Sequence, residues 1–388
     1  MNLVCFSHLR WNFVYQRPQH LLSRFSKYYS TYYIEEFVFN DEEDGYNSYV
    51  TKENVIVVTP HLKHIVAGNS DDIRKMNVMI NIFRDKSINS YIFWYYTPMA
   101  LSFTEQFKPK FVVYDCMDEL SAFKFAPPEL KLMEEQLMEE ADIVFTGGNS
   151  LYEAKKLLHN NIFSFPSSID RKHFLQAREN NDEQPDQANI PYPRLGFFGV
   201  IDERFDIDLI EKVAILKSDW QIVLIGPVVK IDPTSLPIRN NIHYLGNKSY
   251  EQLPFYLSGW DIAMIPFSIN ESTRFISPTK TPEYLAAGKP VVSSPIRDVV
   301  NPYGNKNLVH IYNDAYELIE KVSVELSVKD KAEWLERVDA YLSNISWDLT
   351  FEKMNRLIEK GMQNAKIVKI VKLPTIGKLS AVLERVES

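Results

Sequence analysis

The residues with the clearest chemical potential lie between 264 and 294, which read MIPFSINESTRFISPTKTPEYLAAGKPVVSS. An apolar run ending near Pro266 predicts a strand, and Ser277-Pro278-Thr279 predicts the start of a helix. Pro278 suits a first helical turn, where a backbone N–H has no partner anyway, and Ser277 is the expected N-cap. Gly288 suits the position just past the helix end, and Pro290 opens the next strand. The free N–H groups and positive dipole end of such a helix attract a pyrophosphate. Lys280 adds a positive charge. Glu283, one turn further on the same side, offers a carboxylate that can accept hydrogen bonds from both hydroxyls of a ribose. The plain reading of the same residues is a capped helix with a surface Lys and Glu.

Other strand ends carry further candidates. Gly199 ends the run RLGFFG, and Arg204 follows in the loop; a glycine turn beside an arginine suits a diphosphate. Asp206-Ile207-Asp208 spells a D-x-D, but Asp206 is better placed to cap the next helix than to hold a metal, and no metal site is expected. Leu245-Gly246-Asn247-Lys248-Ser249-Tyr250 has the makings of a nucleobase pocket, with Gly246 and the ring of Tyr250 as its main parts. His8, Arg10, Trp11, Arg17 and His20 cluster after the first strand. A tryptophan there can stack on a sugar and an arginine can hold an anionic group, which suits an acceptor platform. Asp118 follows another strand and could orient an acceptor hydroxyl, and Tyr96 ends a third.

These candidates need a frame that gathers strand ends. Short apolar runs alternate with helical patterns, which predicts parallel sheets with helices on both faces. Strands are expected at 2–6, 31–37, 54–58, 91–95, 110–114, 142–146 and 162–165, with helices at 17–28, 71–85, 128–140 and 149–158. The alternation restarts at 194–199 after a polar, acidic, proline-containing stretch. The expected organisation is therefore an N-terminal Rossmann-like domain over 1–175, a linker over 176–193, a second Rossmann-like domain over 194–346, and a C-terminal helix and basic tail over 347–388 that returns to the first domain. The fold class is α/β, two doubly wound domains facing each other across a cleft. Ligands in such sheets bind beyond the carboxyl ends of the strands, where the strand order reverses.

Composition narrows the chemistry. Acidic residues outnumber basic ones by 51 to 43 in 388 residues, which disfavours nucleic-acid binding. Two cysteines, Cys5 and Cys116, support neither a disulfide framework nor a zinc site, and a reducing cytoplasm fits best. The start, MNLVCFSHLRWNF, shows no secretory leader, and no apolar run approaches the roughly 20 residues of a membrane span. The first strand is followed by no glycine fingerprint, and neither a P-loop nor a G-x-S-x-G elbow occurs. The tail Ala365–Lys378, AKIVKIVKLPTIGK, carries four lysines and no acid, which suits peripheral contact with an anionic membrane inner face.

The stretch SPTKTPEYLAAGKPVVSSPI resembles the nucleotide-sugar-binding signature of retaining GT-B glycosyltransferases of family 4. The opening FSHLRWNFVYQRPQHLLSRF, the segment Tyr114–Leu120, Gly196–Gly199 and Ser346-Trp347-Asp348 resemble a bacterial subgroup of teichuronic-acid-type or capsule-type enzymes. The resemblance implies a nucleotide-diphosphate sugar donor held by the helix at 277–283, with Glu283 on the ribose. It also implies a glycan or lipid-linked glycan acceptor and same-face attack without a protein nucleophile. It departs from the family at Phe275, where a donor-sugar Glu usually stands. Two rivals remain at this stage: a nucleotide-sugar 2-epimerase of the same architecture, and a non-catalytic sugar-nucleotide or glycan-binding protein.

Overall fold

The described residues of the computed structural model are 1–64, 70–179 and 183–372. The chain opens with β1 (Asn2–Phe6), α1 (Arg17–Phe25), β2 (Ser30–Ile34), β3 (Val38–Asn40), β4 (Gly45–Val50), β5 (Val55–Lys63) and α2 (Asp71–Asp85). It continues through β6 (Tyr91–Tyr95), β7 (Val112–Cys116), α3 (Leu130–Glu140), β8 (Ile143–Thr146), α4 (Asn149–Lys155) and β9 (Ile162–Ser164). These strands form one sheet in the order β3-β5-β2-β1-β6-β7-β8-β9, parallel except where β4 pairs antiparallel with β5. β1, β2, β6 and β7 are buried along all but the first residue, as expected of parallel strands covered on both faces.

The second lobe comprises α5 (Arg171–Glu179), β10 (Arg194–Phe198), α6 (Ile207–Leu216), β11 (Gln221–Ile225), β12 (Ile242–Gly246), α7 (Leu253–Ser258), β13 (Ile262–Ile265), α8 (Lys280–Ala286) and β14 (Val291–Ser293). It closes with α9 (Arg297–Val299), β15 (His310–Ile311), α10 (Ala315–Ser327) and α11 (Ala332–Leu342). Its sheet is wholly parallel, in the order β12-β11-β10-β13-β14-β15. In each lobe the first strand is flanked by its successor on one side and a later strand on the other. The order therefore reverses beside β1 and beside β10, and the loops leaving these strands enter the space between the lobes.

The lobe boundary lies earlier than the sequence suggests. Phe174 of α5 is fully buried in the core of the second lobe, so 171–179 belongs there and not to a domain ending at 175. The polar stretch after it is not a free linker either. Gln187, fully buried, accepts from Trp260 Nε1 at 2.8 Å and donates to the carbonyl of Tyr256 at 3.0 Å. Its polarity serves interior hydrogen bonds, which composition alone cannot distinguish from solvent exposure. The last helix, α12 (Trp347–Lys372), crosses back: Trp347 is buried in the N-terminal core and stacks on His20 at 4.7 Å, and Asp348 accepts from Arg24 at 2.7 Å. Of the basic tail, only helical backbone as far as Lys372 is described, and residues 373–388 lie outside the described residues. No helix among the described residues is long and apolar enough to cross a membrane.

Candidate functional site

The cavity between the lobes gathers the strand ends. Helix α8 forms its floor, and it begins at Lys280, later than Ser277. Thr279 takes the N-cap position with helical backbone angles and no side-chain cap, so the expected Ser277 cap is not made. Ser277, Pro278 and Thr279 instead form a turn in which the amides of Thr281 and Glu283 donate to the carbonyls of Pro278 and Thr279 at 3.2 and 3.3 Å. Among the described residues the amides of Thr279 and Lys280 have no acceptor. Tyr284 fixes the helix to β10, its hydroxyl accepting from the amide of Phe198 at 3.0 Å.

Gly199 lets Lys280 reach this space. Its φ is +145°, and a Cβ there would lie 2.6 Å from Lys280 Cε. No side chain fits without displacing the lysine. Lys280 has no hydrogen-bond or ion-pair partner among the described residues; burial lowers its pKa, against the pull of Glu283. Glu283 is 5% exposed and lines the same cavity. Burial pushes its carboxyl up to about 7, with Lys280 opposing. Arg204 also lines the cavity but is already paired: its guanidinium donates to both carboxylate oxygens of buried Asp202 at 2.6 to 3.2 Å.

Across the gap the N-terminal lobe offers Asp118, whose carboxyl is raised to about 6 by burial and held back by the charges of Arg204, Lys280 and Arg17. Several interlobe contacts hold the two sides together, among them the following. Ser167 Oγ donates to the carbonyl of Ser277 at 2.5 Å. Asp298 of α9 accepts the amides of Asn149 and Ser150, at the start of α4, at 2.7 and 2.9 Å. Phe275 packs against the hydrophobic core of the N-terminal lobe.

This arrangement has known counterparts. Residues 192–344 match the family described as "Glycosyl transferases group 1". The second lobe is a group 1 glycosyltransferase domain. A Bacillus subtilis protein named as a teichuronic acid biosynthesis glycosyltransferase, TuaH, is 25% identical over 223 residues, or 52% of this chain and 54% of that relative. The matched region thus spans about half the length of that relative. The whole chain has the GT-B fold. An E. coli trehalose-6-phosphate structure bound with UDP-2-fluoro glucose superimposes with a TM-score of 0.65 over 94% of this chain and 99% of that one, at 12% identity. Sucrose-phosphate synthase from Thermosynechococcus elongatus gives 0.65 over 92% and 98%, at 15% identity.

In the glycosyltransferase domain the cavity collects Gly199, Arg204, Tyr250, Ser277, Pro278, Thr279, Lys280 and Glu283; the opposite lobe adds Arg17 and Asp118. Gly246 is absent from this lining; its carbonyl accepts from Gly226 in the turn after β11. The D-x-D does what its position suggests: Asp206 caps α6, accepting from the Leu209 amide at 3.0 Å. No group of three or more His, Cys, Asp or Glu residues among those described is placed to hold a metal.

The expected acceptor cluster after β1 is divided by the fold. Arg17 is buried and donates to both oxygens of Asp115 at 2.8 to 3.1 Å and to the carbonyl of Phe165 at 2.8 Å, which leaves it little to give an anionic acceptor. Arg10 is held by Glu35 at 3.0 Å and the carbonyl of Glu36 at 2.8 Å. Trp11 is 7% exposed, edge-on to Tyr33 at 5.0 Å, so its face is not a free stacking platform; it borders a second cavity at the cleft mouth. His20 is sandwiched against Trp347. Tyr96 is 1% exposed and lies outside the cavity lining. His8 Nδ1 is buried without a partner among the described residues, and burial, aided by the charge of Lys230, lowers its pKa to about 4. Sequence reasoning passed over Tyr15 and Ser167, which do line the cavity. Both follow first-lobe strands at their carboxyl ends, which was the usable signal; neither residue type is rare enough to stand out alone.

Proposed function

We propose that the protein transfers a sugar from a nucleotide-diphosphate sugar to a glycan or lipid-linked glycan acceptor, with retention, in cell-envelope glycan synthesis. The observation that carries this reading is the pairing state of the cleft floor: among the described residues the amides of Thr279 and Lys280 and the Lys280 ammonium are unspent, with Glu283, likewise without a partner there, one turn away. Buried polar groups are normally satisfied, so a set of them left open on one cavity is suited to a ligand with matching groups. A diphosphate matches the donors and a ribose matches the carboxylate. The relative named for teichuronic acid biosynthesis supports the envelope role.

Departure of the diphosphate puts negative charge on its oxygens while the anomeric carbon becomes positive. Fixed amides and an ammonium in a closed cleft stabilise that charge without reorganising. The acceptor hydroxyl attacks from the face the diphosphate leaves, forming the new C–O bond as the old one breaks, and its proton passes to the departing phosphate oxygen. Asp118 faces Lys280 and Arg204 from the other lobe and orients that hydroxyl. Lobe closure excludes water and limits hydrolysis. The basic tail that starts at Ala365 brings the enzyme to an anionic inner leaflet carrying a lipid-linked acceptor.

Lys280→Ala tests this directly. Its kcat/KM with UDP-, GDP- or ADP-sugars should fall by roughly 100-fold or more, the range for losing one donor to a developing oxyanion. Undiminished turnover in that variant rejects the assignment.

A further inference from the structure

We infer that Tyr15, carried by the N-terminal lobe, forms one wall of the donor's nucleoside site, so that the base is held between the lobes and not by the glycosyltransferase domain alone. This rests on the reading of the cleft as the donor site. The cavity beside α8 measures about 150 Å³. It suits a diphosphate but is smaller than the roughly 300–1,000 Å³ of most small-molecule sites. A second cavity of about 600 Å³ adjoins it at the mouth of the cleft. Val14, Tyr15, Tyr250 and Leu253 line both, so they are the partition between the two.

At the centre of that partition are two stacked rings. Tyr15 and Tyr250 lie 4.6 Å apart between centroids at 26°, one from each lobe. Tyr250 is fixed from behind: it also stacks on His173, 4.2 Å away at 12°, and His173 Nε2 lies 2.9 Å from the Tyr250 carbonyl. Among the described residues Tyr15 has, besides that stack, an edge contact with His20 at 4.6 Å and 86°. The Tyr250 hydroxyl is buried with no hydrogen-bond partner among the described residues, a state a polar atom of a bound nucleoside would relieve. Glu283, 5% exposed, opens on the cavity on the phosphate side of the partition.

A nucleotide diphosphate with its phosphates on α8 and its base towards the mouth must cross this partition. A flat base entering between the rings exchanges one ring–ring contact for two and needs about 3.5 Å of extra separation. Stacking tolerates any base, because every base has a π face. Tyr15 thus makes affinity depend on the presence of a base, while polar groups of the loop at Asn247 and Ser249, which lines the mouth, choose among bases. Because Tyr15 belongs to the other lobe, a base bound between the rings bridges the two lobes.

The experiment is a titration-calorimetry comparison of UDP, GDP, ADP and inorganic pyrophosphate on the full chain, as wild type, Tyr15→Phe, Tyr15→Leu and Tyr15→Ala. The best-bound nucleoside diphosphate should lose roughly 10-fold or more in affinity in the Leu and Ala variants, as expected for removing one base–ring stack. It should stay within about 2-fold in the Phe variant, and pyrophosphate affinity should not change in any of them. The Leu variant keeps the bulk, so it reads the loss of the ring even where Ala perturbs folding. Equal losses for pyrophosphate and nucleotide, or nucleotide binding untouched by Leu and Ala, overturn the inference alone. A wild type that binds neither pyrophosphate nor any of the three nucleotides overturns the donor-site reading and this inference with it.

Discussion

Two regions of the molecule bury charge, and they treat it differently. Beneath the N-terminal side of the cleft, two sets of buried charges are fully paired. Arg17 and Asp115 form a bidentate pair, and Lys155 is shared by Glu119 and Glu134 at 2.8 Å each, with Tyr114 donating to Glu134 at 2.7 Å. On the cleft floor, Glu283 is as close to solvent exclusion and Lys280 is half-buried, yet neither has a hydrogen bond or ion pair among the described residues. A buried charge whose partners are complete holds the fold. One left open is destabilising until something binds, and that is the mark of a site.

The largest effect belongs to breaking a completed pair. Asp115→Ala leaves the Arg17 guanidinium buried beside a gap, and removal of one member of such a pair typically costs about 3–5 kcal/mol. Urea unfolding followed by tryptophan fluorescence should show that loss at neutral pH. A loss under about 1 kcal/mol would mean that Arg17 turns outward easily, and the distinction between the two regions would fail at its N-terminal end.

The opposite sign is expected on the floor. Glu283 has a folded pKa of about 7, raised above its ordinary 4.5 by burial. Below about pH 4.5 it is protonated in both folded and unfolded chains and has no effect. Between pH 4.5 and 7 the unfolded chain ionises while the folded one keeps its proton, so stability falls across that window and stays lowered above it. Glu283→Gln should therefore stabilise the unliganded protein at pH 8 by at most about 3 kcal/mol, the free energy of that shift. The gain should shrink between pH 7 and 4.5, and Lys280, losing its neighbour's charge, offsets part of it. The same variant should bind nucleoside diphosphates more weakly. Melting temperatures across that pH range decide the point; a destabilised variant at pH 8 would show that Glu283 is a structural residue after all.

This contrast also marks what the sequence could reveal. The parallel strands were legible because their apolar runs are continuous, and the helix before Gly288 because Ser, Pro, Thr and Lys stand together ahead of a helical pattern, although it starts at Lys280 and not at Ser277. Pairing was not legible. Arg17 and Asp115 are 98 positions apart, so nothing local distinguishes a clamped arginine from an available one. Arg204 and Asp202, by contrast, sit in the same short loop, and their proximity was a readable warning that the arginine would be neutralised. The helix at 171–179 was missed for a related reason: its polar face and the acidic residues after it read as a linker, while the buried Phe174 that anchors it is one residue among polar neighbours. The Tyr15–Tyr250 stack joins two loops from different lobes, and only the closed arrangement brings them into register.

The smallest expected effect comes from a charge pair that spans the lobes but is not buried. Lys52 Nζ lies 3.0 Å from Glu251 at the cleft mouth, with their side chains 75% and 64% exposed. Its position invites the idea of a latch. Water screens it, and holding two long side chains in place opposes the attraction, so its contribution should be about 0.2–1 kcal/mol and should fade as salt rises past 0.15 M or so. Lys52→Ala should leave the melting temperature within a degree or two and change nucleotide affinity by less than about 3-fold, with both differences vanishing at about 1 M salt. A salt-resistant loss would place a working charge outside the buried floor. Because Lys52 is both exposed and paired, neither burial nor open partners would then suffice to tell a site from a scaffold in this protein.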